Sequence, residues 1–124
     1  MGACVLTSKK GANICKYTLL WTNASPGSDF SAQTISLDLS SYDFIIIFIK
    51  GVKTYGNTWI RPHIVFKGWT NFMISGHSDN SAGSISRFIS SVSDTGITFS
   101  NGQLGNSYAW NNVGVPYQIY GIKI

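Results

Sequence analysis

The sequence predicts an all-β domain, an antiparallel β-sandwich of the jelly-roll kind with almost no helix. An uninterrupted apolar run, Phe44–Ile49, is rich in β-branched and aromatic residues and is far too short to span a bilayer. Several other short segments alternate apolar and polar side chains with the period of two typical of strands, and turn formers separate them. No long segment carries apolar side chains at helical spacing. Short strands joined by polar turns favour two packed sheets.

The composition limits the chain to one domain with few charges. The chain has 124 residues, and charged residues make up 11% of it, whereas an average protein has about 25%. Ser, Thr, Asn and Gly supply most of the polar surface instead. We expect residues 1–12 to form a leader or attachment arm and residues 13–124 to form a single β-sandwich domain.

The first predicted strands lie in the amino-terminal third of the chain. Tyr17, Leu19 and Trp21 occupy alternate positions and so fall on one face of an extended segment. The turn formers of residues 23–29 end that strand. Residues 34–39 alternate apolar and polar side chains again, which predicts a half-buried strand.

The apolar run, residues 44–49, has no polar alternation. It therefore predicts a strand buried on both faces at the centre of a sheet. Residues 59–67 resume an extended pattern that contains Pro62. Because proline lacks a backbone donor, this strand is expected at a sheet edge or with a bulge. Residues 72–74 form a further short candidate strand.

The carboxyl-terminal third predicts a hairpin, a long loop and a last strand. Residues 85–92 and 97–100 are the two hairpin strands, and Ser93-Asp94-Thr95-Gly96 is the turn between them. Residues 101–115 are rich in Gly and Asn and are expected to form a loop. Residues 116–124 close the chain as a strand.

The cysteines and histidines do not predict a metal site. Cys4 and Cys15 could close a small disulfide, but two free thiols are the favoured interpretation. His63 and His77 are not spaced as a ligand pair for zinc. We expect no metal and no cofactor.

The basic residues do not form the footprint of a nucleic-acid-binding protein. The formal net charge is +4, but only Lys9, Lys10 and Lys16 lie close together along the chain. The other basic residues are spread over separate segments. We also expect no secretion signal, because the first residues have no long apolar core, and no transmembrane segment. We expect neither nucleic-acid binding nor membrane insertion.

Catalytic motifs are weak, and we expect no enzyme activity. Residues 75–79, Ser-Gly-His-Ser-Asp, bring a possible triad together, but immediate sequence neighbours on one loop cannot easily adopt triad geometry. A hydrolase acting on surface glycans, with His77 essential, is kept as a third hypothesis. Asp38, Asp43 and Asp94 flank predicted turns, where capping is the simpler role.

Aromatic and amide side chains in predicted loops are the best candidates for a functional site. Aromatic rings stack on the apolar faces of sugars, and amides bind sugar hydroxyls, so such loops can bind glycans without cleaving them. The candidate ligand-binding residues are Tyr55, Asn57, Trp59, Tyr108, Trp110 and Asn111. For Trp59 and for Trp69 in the next loop, a role as plugs of the sandwich core is the favoured alternative.

Four segments, in this order, resemble a known family. They read LWTNASP (residues 20–26), FSAQTISLDLSSYD (30–43), VSDTGITFSNG (92–102) and VPYQIYGIK (115–123). Together they resemble a small β domain found at the end of phage and prophage tail, tail-fibre or head-fibre chains. The resemblance covers residues 18–124. Members of this family usually carry the domain behind a longer chain, whereas here only about twelve residues precede the predicted domain, residues 13–124.

The resemblance implies a function but no catalytic residue. It implies a non-enzymatic virion structural protein at a tail or head fibre tip, assembled in the bacterial cytoplasm and extracellular after lysis. Expected partners are a bacterial surface glycan or receptor, other virion proteins and further copies of the chain, with a homotrimer suggested by the family. The alternative is a purely structural module for oligomerisation or particle decoration, without ligand binding.

Overall fold

The computed structural model describes residues 16–50, 60–77, 84–105, 107–108 and 110–124. For residues 76–77 and 107–108 it describes the backbone alone. All regular structure in these ranges is β-strand, and they contain no helix long and apolar enough to cross a membrane. The predicted arm, residues 1–12, and both cysteines lie outside the described ranges.

Two antiparallel sheets form a β-sandwich, which confirms the predicted fold class. The jelly-roll order of strands stays a prediction. The strands are β1 (Lys16–Thr22), β2 (Gln33–Ser36), β3 (Phe44–Lys50), β4 (Ile60–Phe66), β5 (Thr70–His77), β6 (Ser84–Ser93), β7 (Gly96–Leu104), β8 (Ser107–Tyr108) and β9 (Val115–Lys123). The first sheet has the order β1-β9-β3-β4, and the second has the order β2-β7-β6-β5, with the short β8 paired to β7.

The apolar run forms β3, which lies between β9 and β4 and is therefore an inner strand as predicted. Ile45, Ile47 and Ile49 are fully buried on its inner face. The expectation of burial on both faces is wrong, since Phe44, Ile46 and Phe48 on the outer face are only partly buried. The reason is architectural: a sandwich has two layers, and no third layer among the described residues covers the outside of the first sheet.

The core lies between the two inner faces. The first sheet contributes β3, Val65 and Ile119, and the second sheet contributes residues that are almost fully buried, namely Ile89, Val92, Ile97 and Phe99. Phe30 and Leu39, from the connecting segments, complete this cluster. Each such side chain contributes roughly 1.5–3 kcal/mol by leaving water.

Pro62 lies in an edge strand, as one of the two predicted alternatives requires. The pairing of β4 with β3 runs without a register shift from Phe44↔Phe66 to Lys50↔Ile60, so the other alternative, a bulge at Pro62, is wrong. The chain then changes sheets through residues 67–69 and enters β5, the edge strand of the second sheet. At this corner Gly68 adopts a positive φ of 90°, which glycine tolerates best.

Several element boundaries differ from the predictions. The strand predicted at 34–39 ends at Ser36, because the amides of Leu37 and Leu39 bond instead to the carbonyls of Thr95 and Asp94 in the hairpin turn. The predicted hairpin is confirmed as β6 and β7. However, β7 continues to Leu104 and pairs with β8, so the predicted loop at 101–115 is partly strand.

Candidate functional site

Most of the predicted ligand-binding residues belong to segments that leave one end of the sandwich. The end of β3 pairs with the start of β9, at Lys50↔Val115, and the start of β4 lies beside them. In the second sheet, the end of β5 and the end of β7 flank the start of β6, at His77↔Ser84 and Ile85↔Leu104. We call this region, where β1, β3, β5 and β7 finish and β4, β6 and β9 begin, the loop end.

A buried arginine organises the loop end. Arg87 of β6 is 0% exposed and points into the sandwich, where its register partner Gly102 lies on β7. Its guanidinium lies over the ring of Phe30, with 5.6 Å between Cζ and the ring centroid. No carboxylate within the described residues forms an ion pair with it.

The Arg87 guanidinium instead donates to the backbone of three separate segments. Nε donates to the Gly114 carbonyl at 3.2 Å, and Nη2 donates to the carbonyls of Val113 at 2.9 Å and Asn111 at 3.2 Å. Nη1 donates to the carbonyls of Phe30 at 2.8 Å and Ser100 at 3.0 Å. Since arginine offers five N–H groups in a rigid fork, this set of acceptors uses the side chain completely.

Burial lowers the pKa of the Arg87 guanidinium to about 10, while the charge of Asp29 acts in the opposite direction. The group therefore keeps its charge at neutral pH. Burying an arginine without a counter-ion is costly unless its protons are all bonded, and here carbonyl dipoles replace the missing carboxylate. The charge is thus used to hold backbone segments together.

Two glycines let the loop approach Arg87 closely. A Cβ added at Gly102 would collide with the Trp110 carbonyl oxygen and lie 2.8 Å from that of Val113. Gly114 has a positive φ of 55°, and a Cβ there would lie 3.2 Å from the Ser86 carbonyl oxygen. The path of residues 110–114 around Arg87 therefore depends on the lack of a side chain at both positions.

Asn111 is part of this bracing network. Its Oδ1 accepts from the Gly102 amide at 3.3 Å and lies 3.4 Å from Arg87 Nη1. Its carbonyl oxygen accepts from the Phe30 amide at 2.8 Å as well as from Arg87. These contacts turn the acceptor side of Asn111 inward. The predicted contact of Asn111 with a ligand is untested and stays a prediction.

Trp110 is partly buried at the surface of the loop end. Its backbone amide donates to the Gly102 carbonyl at 3.0 Å, and its side chain packs on a small cluster of Ile85, Leu104 and Val113. The indole therefore has a fixed apolar support on one side and remains partly open to solvent. A ring held in this way is the arrangement that stacking on a sugar face requires.

The side chains of the remaining predicted site residues lie outside the part of the chain that the structure describes. Tyr55, Asn57 and Trp59 lie outside the described residues, between β3 and β4. Tyr108 belongs to β8 and pairs with Gln103, and the structure describes only its backbone. The ends of β3 and β4 that flank residues 51–59 lie at the loop end, as do the strands on either side of Trp110.

Trp69 does not plug the core, so the favoured interpretation is wrong for this residue. It is 44% exposed, lies at the corner between β4 and β5, and contacts Phe66 and Phe72. The corner lies at the end of the sandwich opposite the loop end, because Thr70 pairs with Ser91 near the β6–β7 turn.

That opposite end also holds the aspartates that we expected to act at turns. Asp38 Oδ1 accepts from the Ser40 hydroxyl at 2.6 Å and from the Ser40 amide at 3.1 Å, and these bonds lower the pKa of Asp38. Asp94 pairs with Lys67 Nζ at 2.9 Å. A shallow open depression lies between Asp38 and Asp94. Within the described ranges, no three His, Cys, Asp or Glu side chains are grouped so that they could hold a metal ion.

Sequence reasoning missed Arg87. It grouped this residue with the scattered basic side chains, although Ile85, Arg87 and Ile89 occupy alternate positions of one predicted strand. The period of two places all three on the same face, and two isoleucines indicate that the face is buried. The sequence pattern therefore predicts an arginine on the inner face of a strand, and such a residue indicates a structural or functional centre.

The chain was compared with protein-family models, with curated proteins and with solved structures, and none of the three comparisons found a match.

Proposed function

We propose that this domain is a non-enzymatic structural module of a phage or prophage virion appendage, and that it recognises a bacterial surface glycan or receptor through the loop end. The observation that carries the recognition part of this proposal is the Arg87 network. It fixes the loop that presents Trp110 and Asn111. The virion part is supported by the four sequence segments that resemble phage fibre domains.

Preorganisation is the physical argument for recognition. A loop that becomes ordered only on binding loses conformational entropy at that moment, and each immobilised side chain costs about 0.5–1.5 kcal/mol. Six hydrogen-bond contacts from Arg87 hold residues 111–114 to Phe30 and Ser100 before any ligand arrives. A binding site supported in this way already has its ordered geometry, so binding loses less conformational entropy.

The chemistry at the loop end suits a hydroxyl-rich ligand. Trp110 offers a supported aromatic surface, and Asn111 and Asn112 are partly exposed amides beside it. Lys50 at the end of β3 and Arg61 near the start of β4 bring positive charge to this end, whereas the Lys67–Asp94 ion pair lies at the opposite end. Aromatic stacking with amide hydrogen bonds is how proteins bind the apolar faces and hydroxyl edges of sugars.

The proposal is tested by the binding of the full chain to bacterial envelope glycans and to whole bacterial cells. We expect the double variant Tyr108→Ala/Trp110→Ala to lose at least about tenfold in affinity, which corresponds to about 1.4 kcal/mol of lost stacking. Trp69→Ala is the matched control, because it removes an exposed tryptophan at the other end of the sandwich. It should bind like the wild type.

Two results would count against the proposal. If the double variant remains folded and binds as well as the wild type, the site assignment is wrong. If the wild type binds no glycan and no cell, the purely structural alternative replaces recognition. Release of shortened sugars from a host polysaccharide, abolished by His77→Ala, would instead favour the hydrolase hypothesis.

A further inference from the structure

Positive side chains outnumber negative ones at the loop end. Within the described residues this end holds Lys50, Arg61 and the buried Arg87. One carboxylate lies there, that of the exposed Asp29, which directly precedes an acceptor of Arg87. The opposite end is balanced, with three lysines and three aspartates: Lys16, Lys67, Lys123, Asp38, Asp43 and Asp94. Outside the described ranges, the segments that join strands at the loop end add one charge of each sign: Lys53 and Asp79. The net positive charge of the described side chains therefore lies at the loop end.

The charge of Arg87 adds to the potential at the loop end because no ion pair cancels it. The ion pair that the described residues form, Lys67 with Asp94, lies at the other end of the sandwich. Asp29 acts on the Arg87 guanidinium without pairing with it. Salt screens a buried charge much less than an exposed one. A ligand bound against residues 110–114 therefore meets a positive potential, which favours an anion.

Lys50 presents an ammonium group at the rim of the loop end. It is the last residue of β3, and its partner Val115 is the first residue of β9. Its Nζ lies 5.6 Å from the centroid of the Tyr117 ring. Lys50 forms no ion pair with any side chain in the described part of the chain. An ammonium held over a ring rather than by a carboxylate keeps its N–H donors available to a ligand.

Asn111 presents the donor side of its amide to a ligand. Two N–H donors, the Gly102 amide and Arg87 Nη1, face its Oδ1 at 3.3 Å and 3.4 Å. An atom that faces two donors must be the oxygen, so the network fixes the orientation of the side-chain amide. The Nδ2 group is left without a hydrogen-bond partner among the described residues, and the residue is partly exposed. Asn111 therefore offers N–H groups, which suit an anionic oxygen.

Lys50 and Trp110 are close enough to contact one short chain of sugars. Residues 110–113 form a turn in which the Val113 amide donates to the Trp110 carbonyl at 3.4 Å. The Cα atoms at the two ends of such a turn lie within about 7 Å of each other. Two further residues lead to Val115, which lies opposite Lys50 in the sheet. The Cα atoms of Trp110 and Lys50 therefore lie within about 20 Å of each other.

From these observations we infer that the loop end binds an acidic glycan, a bacterial surface polysaccharide whose sugars carry carboxylate or phosphate groups. Trp110 stacks on a sugar ring, while Asn111 Nδ2 and Lys50 Nζ donate to the anionic groups. Hydrogen bonds to an ionised acceptor are stronger than those to a hydroxyl, so the anion decides which glycan is bound. The inference rests on the proposed function, because it names the chemical class of the ligand at the same site.

The number of charges favours a glycan over a nucleic acid. A nucleic acid carries a phosphate at every nucleotide, and proteins that follow its backbone neutralise several of them. Among the described residues, the basic side chains at the surface of the loop end are Lys50 and Arg61, and the carboxylate of Asp29 lies at the same end. A polysaccharide in which only some sugars are acidic needs no more than one or two such contacts.

The test starts from the acidic envelope glycan that the full chain binds best. The same polymer is measured again after carboxyl reduction or after removal of its phosphate groups, which identifies the anion that is recognised. We expect the acidic form to bind at least about tenfold more tightly than the neutral form at low salt. The difference should shrink as salt is raised, because the screening length falls from about 10 Å at 0.1 M to about 3 Å at 1 M.

Asn111→Asp changes the charge of the site without changing its shape. It keeps an oxygen facing Arg87 and replaces the outward donor with a second oxygen. Because Arg87 gains a counter-ion, the thermal stability should be equal to that of the wild type or higher. The affinity for the acidic glycan should fall at least about tenfold, since two negative charges would meet. A loss of binding without a loss of stability is not expected from a purely structural role.

Lys50→Gln keeps the test decisive if Asn111→Asp does not fold. It should weaken binding of the acidic form at least about threefold and leave binding of the neutral form unchanged. Lys123→Gln is the matched control, because it removes a lysine charge at the opposite end of the sandwich, and it should bind like the wild type.

The outcomes separate this inference from the proposed function. If the wild type binds neutral glycans as tightly as acidic ones, or if folded Asn111→Asp and Lys50→Gln bind the acidic form as well as the wild type does, the inference is wrong while glycan recognition stands. If the wild type binds no glycan, both are wrong. Tighter binding to duplex DNA or to phosphatidylglycerol vesicles than to every acidic glycan would assign another class of ligand and would also overturn the inference.

Discussion

At the scale of single residues, Arg87 decides how the loop end is built. Its guanidinium is buried and satisfies carbonyls from residues 30, 100, 111, 113 and 114, so it joins segments that are far apart in the sequence. Its pKa of about 10 in the folded state lies well below its ordinary value. The unfolded state therefore binds more protons only at alkaline pH, from about pH 10 upward, and Arg87 adds no pH dependence to the stability near neutrality.

Replacing Arg87 with methionine should destabilise the domain strongly. Methionine has a similar length but no donors, so the carbonyls around it would be buried without partners, at a cost of about 1–3 kcal/mol each before water enters. We expect Arg87→Met to lower the free energy of unfolding by about 3 kcal/mol or more, measured by chemical denaturation. Arg61→Met, at an exposed arginine of β4, should change it by less than about 1 kcal/mol. Equal effects of the two variants would show that the network does not stabilise the fold.

Part of the loop end could be predicted from the sequence. Trp110 and Asn111 were placed correctly in an irregular segment, because Gly and Asn cluster around them. The acceptors of Arg87 could not be predicted, since the carbonyls of residues 30 and 113 meet it only after both sheets have formed. Local patterns predict which face a side chain occupies, but they carry no information on such long-range contacts.

At the scale of elements, the strands follow their side-chain pattern, and the boundaries follow tertiary hydrogen bonds. The period of two predicted β1, β6 and β7, and the proline predicted the edge position of β4. The predicted end of β2 is wrong. Apolar and polar side chains continue to alternate as far as Leu39, but the backbone amides of Leu37 and Leu39 bond to carbonyls of the turn between β6 and β7. Leu39 fits the apolar pattern because its side chain is buried in the core, although its backbone is not part of a strand.

β7 packs closely against residues 110–114, and a side chain at Gly102 should disturb this packing. Gly102→Ala would place a Cβ against two carbonyl oxygens, those of Trp110 and Val113, and backbone cannot move away as easily as a side chain. We expect a loss of about 1–3 kcal/mol in the free energy of unfolding, the usual cost of overpacking.

Gly27→Ala is the control for that substitution, because nothing lies within 4 Å of the added Cβ. It should leave the stability within about 0.5 kcal/mol of the wild type, as is usual for surface substitutions. If chemical denaturation gives the same free energy for both alanine variants, the close approach of β7 to residues 110–114 is not a feature of the folded domain.

At the scale of the whole molecule, the sandwich has two ends and two outer faces with different chemistry. The loop end carries the braced segment with Trp110, and the opposite end carries the Asp38 turn and the Lys67–Asp94 ion pair. The outer face of the first sheet exposes Ile64 and Phe66, and the outer face of the second sheet carries a row of hydroxyls beside the exposed Met73. The proposed function uses the loop end for recognition.

The central claim is that Arg87 makes the loop end one ordered unit, and amide hydrogen exchange of the full chain tests it most directly. The amides of Phe30, Gly102 and Trp110 donate within the network, to Asn111 and to the Gly102 carbonyl. In the wild type we expect them to be protected nearly as well as the amides of β3. In Arg87→Lys, which keeps the charge but offers three donors, these amides should exchange much faster while β3 stays protected. Fast exchange in the wild type, or unchanged exchange in the variant, would contradict the account.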